Sequence, residues 1–369
     1  MLTLRFQLNY SMGQNSINGT AIILSGGLLE GKSAKTTHGL LRGTRRFDIQ
    51  AIIDHKHGGK SAEDMIPKAS KNVPIHSSVK DFLAQGGKAD YCVIGVATKG
   101  GILPDAMKQD VIDALSSGIS LVNGLHKFLN DDAEVKQLAD ESGAIIYDIR
   151  KPRPKNELAF WTGDIYKVDT PKIAVMGTDC GLGKRTTAKF IVEGLRNRGR
   201  SAEMIFTGQT GWLQGWKYGF ILDSTVNDFV SGELEDAMLR CVQEVNPDFM
   251  LIEGQAALRN ISGPCGAEFL LSGNTDAVVL HHSPIRKYYD GYEHLGVEIP
   301  PLEKEVELVA AYGKKVIGVT LNTVKVEYKE AKEFQQAYED QLGIPVALPM
   351  EEGIDRVVDV VDNLGSKKI

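Results

Sequence analysis

The stretch KIAVMGTDCGLGKRTTAKFIVEGLR, residues 172–196, constrains the fold more than any other segment. An apolar run enters a loop holding Gly177, Gly181 and Gly183, and Lys184 then opens a helix whose buried stripe is marked by Ala188, Ile191 and Leu195. Glycine lets the backbone turn without a Cβ clash, so successive N–H groups face inward and make a nest for anionic oxygens. The helix N-terminus adds partial positive charge and Lys184 a full one. Such a loop serves a phosphate-bearing ligand, with a purely structural glycine turn as the alternative. The candidate contacts are Gly177, Thr178, Asp179, Cys180, Gly181, Leu182, Gly183, Lys184, Arg185, Thr186 and Thr187.

Two departures from the usual GxxxxGK[ST] loop matter. Gly177 sits one residue too early, and Arg185 stands where a Ser or Thr would hold Mg²⁺. The hydroxyls come later, at Thr186 and Thr187. A nest that grips phosphate but misplaces the metal hydroxyl suits holding a cofactor better than hydrolysing ATP. A small loop shift bringing Thr186 to a metal would reverse that reading.

At 369 residues the chain is too long for one typical core. After a patternless start over residues 1–18, short apolar runs alternate with helical patterns, the signature of parallel sheets. Strands are expected at Thr20–Leu24, Ile49–Ile53, Tyr91–Gly95, Ile119–Val122 and Ala144–Tyr147, then at Lys172–Met176, Met204–Phe206, Phe249–Ile252, Ala277–Leu280 and Val316–Leu321. The expected architecture is α/β: a Rossmann-like domain over residues 1–150, a Pro- and Lys-rich linker and entry over 151–171, and a P-loop NTPase-like domain over 172–369. A ligand cleft is expected at the domain junction.

With a net charge of −6, nothing argues for a nucleic-acid or membrane surface. Cys92, Cys180, Cys241 and Cys265 form no CxxC pair, so reduced thiols in a cytoplasmic protein are expected, and no metal site. The start has no basic segment followed by an apolar run, and no stretch approaches the length of a membrane span. The expected partners are a small-molecule substrate and further copies of the same chain.

Other residues invite chemistry. Glu253 ends a strand, where parallel sheets place their ligands, or it is a capped edge carboxylate. His281 and His282 end another strand, and one could act as a base; either could also be merely hydrogen-bonded. Arg259, Arg286 and Lys287 are candidates for gripping a dicarboxylate, with solvated surface charge as the alternative. Thr207–Gly211 reads as a ligand loop or a plain turn. In the first domain, Gly26 to Ser33 satisfies the standard P-loop spacing, but the best candidate for a metal-carboxylate strand, DYCVIGVATKGG, starts rather than ends with Asp90. A second anion site using Lys32, Thr36, Thr37 and His38 is expected there in preference to an ATPase. Asp54 has the place of a ribose-binding acid, or is a loop acid. Asn123–His126 and Asp148–Pro152 follow strands and either reach the cleft or cap and link.

The GTDxxxGK spacing resembles dethiobiotin synthetase and its deviant P-loop relatives. DFMLIEGQ, ending in Glu253-Gly254-Gln255, resembles their second hallmark strand, and GIPVALPMEEG their last strand and loop. VIGVTLN ends at Asn322, where the resemblance implies an adenine-reading side chain. Taken together, GKSAKTTHGLLR, GLHKFL, DIRKP, GTDCGLGKRTT, FTGQTG and IEGQ resemble the two-domain P-loop family that includes D-glutamate N-acetyltransferase, across nearly the whole chain. That resemblance implies acetyl transfer from acetyl-CoA to the amine of a small acidic amino acid such as D-glutamate. The competing readings are an ATP–Mg²⁺-dependent ligase or kinase acting on a small carboxylate, and a nucleotide-binding regulatory protein.

Overall fold

The computed structural model describes residues 17–66, 69 and 71–365; the patternless start lies outside the described residues up to residue 16. The chain forms two compact units. One comprises the residues up to Lys151 together with Leu213–Lys217, and the other comprises Pro152–Trp212 and the chain from Tyr218 onward. Among the described residues, no helix is long and apolar enough to cross a membrane.

The first unit is built on strands β1 (Gly19–Leu24), β2 (Phe47–Ile53), β3 (Ile75–His76), β4 (Tyr91–Ile94), β5 (Ser120–Asn123) and β6 (Ile146–Asp148). They pair in parallel in the order β3-β2-β1-β4-β5-β6, the doubly wound Rossmann order. Parallel neighbours need crossovers, and helices such as Asp105–Ser116 and Ala133–Ser142 supply them. Met107, Val111, Ala114 and Leu115 of the first of these lie at helical spacing and are buried against Ile22, Leu24, Cys92 and Ile94.

The second unit adds β7 (Lys172–Gly177), β8 (Ala202–Phe206), β9 (Tyr218–Gly219), β10 (Phe249–Glu253), β11 (Ala277–His282), β12 (Val316–Leu321) and β13 (Val346–Ala347), all parallel, in the order β13-β12-β11-β7-β10-β8-β9. Strands β7, β10 and β11 are buried at every position, which is why they read as unbroken apolar runs rather than alternating ones. Polar residues fall only at their ends: Glu253, His281 and His282 at the C-terminal ends and, at the start of β7, Lys172. Its ammonium is buried at the foot of β7, where it donates to the Val168 and Thr170 carbonyls and pairs with Asp276 at 3.2 Å.

The stretch expected to be a linker is instead a strap of the second unit. Buried Glu233 accepts from Arg153 and the Ala159 N–H, and buried Glu235 accepts from the Thr162 and Ile165 N–H groups. Both carboxylates come from one helix, Asn227–Val245, whose Phe229 also packs on Phe160 at 4.5 Å. This irregular segment has no sheet ladder for its N–H groups, and the two glutamates take those of Ala159, Thr162 and Ile165.

Candidate functional site

The C-terminal ends of the central strands of the second unit meet at one place. Register sets Gly177 of β7 beside His281 of β11, His282 beside Leu321 of β12, and Glu253 of β10 beside Val175. The loop Thr178–Gly183 leaves β7 there and enters the helix Lys184–Asn197. Ala188, Ile191, Val192 and Leu195 bury that helix on the sheet, the three larger side chains each contributing roughly 1.5–3 kcal/mol of apolar burial. The loop is thus fixed at both ends.

Within the loop, Gly181 has φ +62° and Gly183 φ +122°, a backbone course that side chains with a Cβ resist. Among the described residues, the N–H groups of Gly181, Leu182, Gly183 and Lys184 have no backbone acceptor, whereas Thr187 N–H already closes the first helical turn on the Gly183 carbonyl. Four successive N–H groups at a helix N-terminus thus stand without a backbone acceptor among the described residues, an arrangement able to take an anion. Lys184 is 6% exposed, and its Nζ donates to the Asp179 and Ala256 carbonyls at 2.6 and 2.7 Å. Burial brings its pKa down to about 8, with the nearby acidic groups pulling the other way.

Several expected contacts turn out to be pins that shape the loop. Asp179 is fully buried and accepts from Cys180 N–H, Asn260 Nδ2, Arg286 Nη1 and Asp290 N–H. The Thr178 hydroxyl pairs with His282 Nδ1 at 3.0 Å, and the Thr187 hydroxyl with His281 Nδ1 at 3.2 Å.

The two histidines do not have the free nitrogen a general base needs. His281 places Nε2 on the Leu182 carbonyl and Nδ1 on Thr320 and Thr187; His282 places Nδ1 on Thr178 and Nε2 on Tyr338. Burial depresses their pKa values to about 3 and about 4. They are neutral struts, and the expectation of a catalytic histidine gives way to that. Asn322 likewise donates to the Leu182 carbonyl and accepts from Val324 N–H.

Glu253 is 4% exposed at the tip of β10. Its carboxylate accepts from Thr207 N–H at 3.0 Å and lies against the backbone of Gly208 and Gly211. Burial raises its pKa, while the Arg185 guanidinium and the Thr207 and Gly208 N–H groups oppose the rise. Thr207 anchors the turn by donating to the Glu253 carbonyl at 2.6 Å, and Gln255 in turn donates to the Thr207 hydroxyl. The Thr207–Gly211 segment therefore opens the short helix Gln209–Leu213 and holds the acid. Thr186 and Arg185 lie half-buried in the first turn of the P-loop helix.

Of the cations expected to hold substrate, Arg286 joins the site and reaches both Asp179 and the Cys180 carbonyl. Arg259 pairs with buried Glu305 at 2.8 Å, and its Nη2 is buried without a hydrogen-bond partner among the described residues. Lys287 does not join: it is exposed, lies over Tyr288 and pairs with Glu298. Lys32 is an exposed residue of the first unit, at the start of a short 3-10 turn.

The rest of the expected first-unit anion site is also spoken for. Thr37 donates to the Gly95 carbonyl, His38 contacts the Leu29 carbonyl, and Thr36 is buried. Asp54 is no ribose ligand in this arrangement. It is fully buried and takes Ser25, Gly27 N–H, Lys56 N–H and His57. Asp148 is filled the same way by Asn123, Asn130 and Leu129 N–H, and Arg150 donates to the Gly124 carbonyl. Both loops cap and link.

Residues the sequence did not point to complete the site: Asn260, Asp290, Thr320 and Tyr338. They carry no motif, because each is recruited by a partner 39 to 111 positions away.

Comparison with known proteins agrees with this architecture. Residues 159–358 match the domain of unknown function DUF1611_C, described as a P-loop domain, and residues 55–152 match DUF1611_N, described as a Rossmann-like domain. A solved structure of a DUF1611 family protein from Anabaena variabilis is 30% identical and superposes with a TM-score of 0.84, covering 94% of this chain and 99% of that one. A D-glutamate N-acetyltransferase from Tritonibacter scottomollicae is 30% identical over 290 residues, spanning 75% of this chain and 83% of the relative. Another of the same name, from a Pseudoalteromonas species, is 29% identical over 273 residues, spanning 72% and 79%. A Rossmann-like sheet followed by a deviant P-loop sheet, matched over both parts, places the chain in the DUF1611 family.

Proposed function

We propose that the protein is an N-acetyltransferase that moves acetyl from acetyl-CoA to the amine of a small acidic amino acid, D-glutamate being the first acceptor to test. The observation that carries the reading is the nest of open N–H groups at Gly181–Lys184, in a chain whose named relatives are D-glutamate N-acetyltransferases. The nest and Lys184 fit the phosphates of CoA. Arg185 adds charge that suits an anion and would repel a metal at the place where Mg²⁺ is usually held.

In the transfer, the amine nitrogen attacks the thioester carbonyl. The C–N bond forms, the C–S bond breaks, and the thiolate departs while the nitrogen loses a proton. Glu253 is the candidate base for that proton, because burial raises its pKa toward the range where a carboxylate both accepts and releases protons. Arg286 and Arg259 are candidates to hold the acceptor's carboxylates.

Binding of the phosphate-bearing ligand tests the reading through Lys184. In the free protein this ammonium titrates at about 8, and an anion beside it must raise that value. Binding at pH 8 should therefore take up protons, and affinity should fall as pH rises above 8, at a limiting slope of about tenfold per unit. Calorimetry of acetyl-CoA in EDTA, in buffers of differing ionisation enthalpy, reads both effects. Binding of ATP that requires Mg²⁺, with none of acetyl-CoA, would favour a ligase or kinase.

A further inference from the structure

The peptide joining Leu182 to Gly183 is held from behind. Its carbonyl accepts from His281 Nε2 at 2.9 Å and from Asn322 Nδ2, one donor in β11 and the other in the residue that follows the neighbouring β12. The Leu182 carbonyl can only accept, so the His281 proton sits on Nε2, and Nδ1 is left to accept from the hydroxyls of Thr320 at 2.6 Å and Thr187 at 3.2 Å. Val324 N–H, donating to Asn322 Oδ1 at 3.1 Å, fixes the orientation of that amide.

No peptide bond among the described residues is cis. In a trans peptide, the C=O and the following N–H point in opposite directions. Drawing the Leu182 carbonyl toward β11 and β12 therefore turns the Gly183 N–H away from them, into the nest, where it has no backbone acceptor. The ring of His281 is packed against this turn: a Cβ on Gly183 would lie 3.2 Å from Nε2.

The geometry points to His281 and Asn322 as positioning residues of the anion nest, acting together on the Leu182 carbonyl to aim the Gly183 N–H at a bound phosphate. Neither touches the reacting atoms, and Asn322 does not read a base. The inference rests on the phosphate-nest reading of this loop.

Inorganic pyrophosphate separates the two roles of Asn322, because it has phosphates and no base. Pyrophosphate and CoA are titrated by calorimetry into the wild type, Asn322→Ala, His281→Ala and His281→Gln. Losing one directed N–H to a charged ligand should weaken binding about tenfold, by the same factor for both ligands. His281→Gln should recover part of the loss, since its amide can still donate to the Leu182 carbonyl. In thiol-release assays, Asn322→Ala should raise KM for acetyl-CoA with kcat within about threefold. Where His281→Ala does not fold, a crystal structure of Asn322→Ala should show the Leu182–Gly183 peptide rotated.

Asn322→Ala that binds pyrophosphate normally but CoA poorly would assign Asn322 to the adenine and overturn the inference. Unchanged affinity for both ligands in Asn322→Ala and folded His281→Ala would overturn it too. A wild type that binds neither ligand would instead sink the phosphate-nest reading on which it rests.

Discussion

Glu253→Gln is expected to lower turnover about 10²- to 10⁴-fold while leaving acetyl-CoA affinity within about twofold. The substitution keeps the shape of the side chain, and the remaining carbonyl oxygen can still accept from Thr207 N–H. What it removes is the ability to take a proton from the attacking amine. The pH profile gives a second readout of the same residue. A base works only when deprotonated, so the acidic limb of turnover should rise with pH through the raised pKa of Glu253. That limb should disappear in the variant. Turnover within about tenfold of the wild type in a folded Glu253→Gln protein would remove Glu253 from the chemistry.

Lys184→Ala should weaken acetyl-CoA binding about tenfold to a hundredfold, the worth of roughly 1.5–3 kcal/mol for a charge-assisted contact to phosphate. The fold should survive. The substitution strands the Asp179 and Ala256 carbonyls but also removes a cation that burial disfavours, as its lowered pKa shows. The two effects on stability oppose each other, whereas nothing opposes the loss at the ligand. Proton uptake on binding at pH 8 should vanish in the same variant, because the titrating group is gone. Unchanged affinity in folded Lys184→Ala would show that the phosphate lies elsewhere.

The strands that run through the sheet centres were legible because burial on both faces writes them as apolar runs: Val316–Leu321 has the expected bounds, and Phe249–Glu253 differs by one residue. The two-residue edge strands Ile75–His76 and Tyr218–Gly219 were not, since two residues cannot display a period. At the site, the sequence located Lys184, Glu253, His281 and Asn322 at the right edge of the sheet. It did not disclose what their atoms do. His281 reads as a potential base until its two nitrogens are seen filled by Leu182, Thr187 and Thr320, partners 99, 94 and 39 positions away. Asp54 reads as a ribose acid until four donors are found on it. A motif fixes position along a strand, whereas hydrogen-bond satisfaction is decided by neighbours that the fold brings in from elsewhere.

The most direct measurement of the central claim is thiol release from acetyl-CoA by the purified protein in the presence of D-glutamate and EDTA, with the product identified by mass spectrometry. Acetyl transfer predicts free CoA and N-acetyl-D-glutamate in equal amounts, at a rate that EDTA does not change. ADP formation that depends on Mg²⁺ and a carboxylate substrate, with no CoA released, would contradict it.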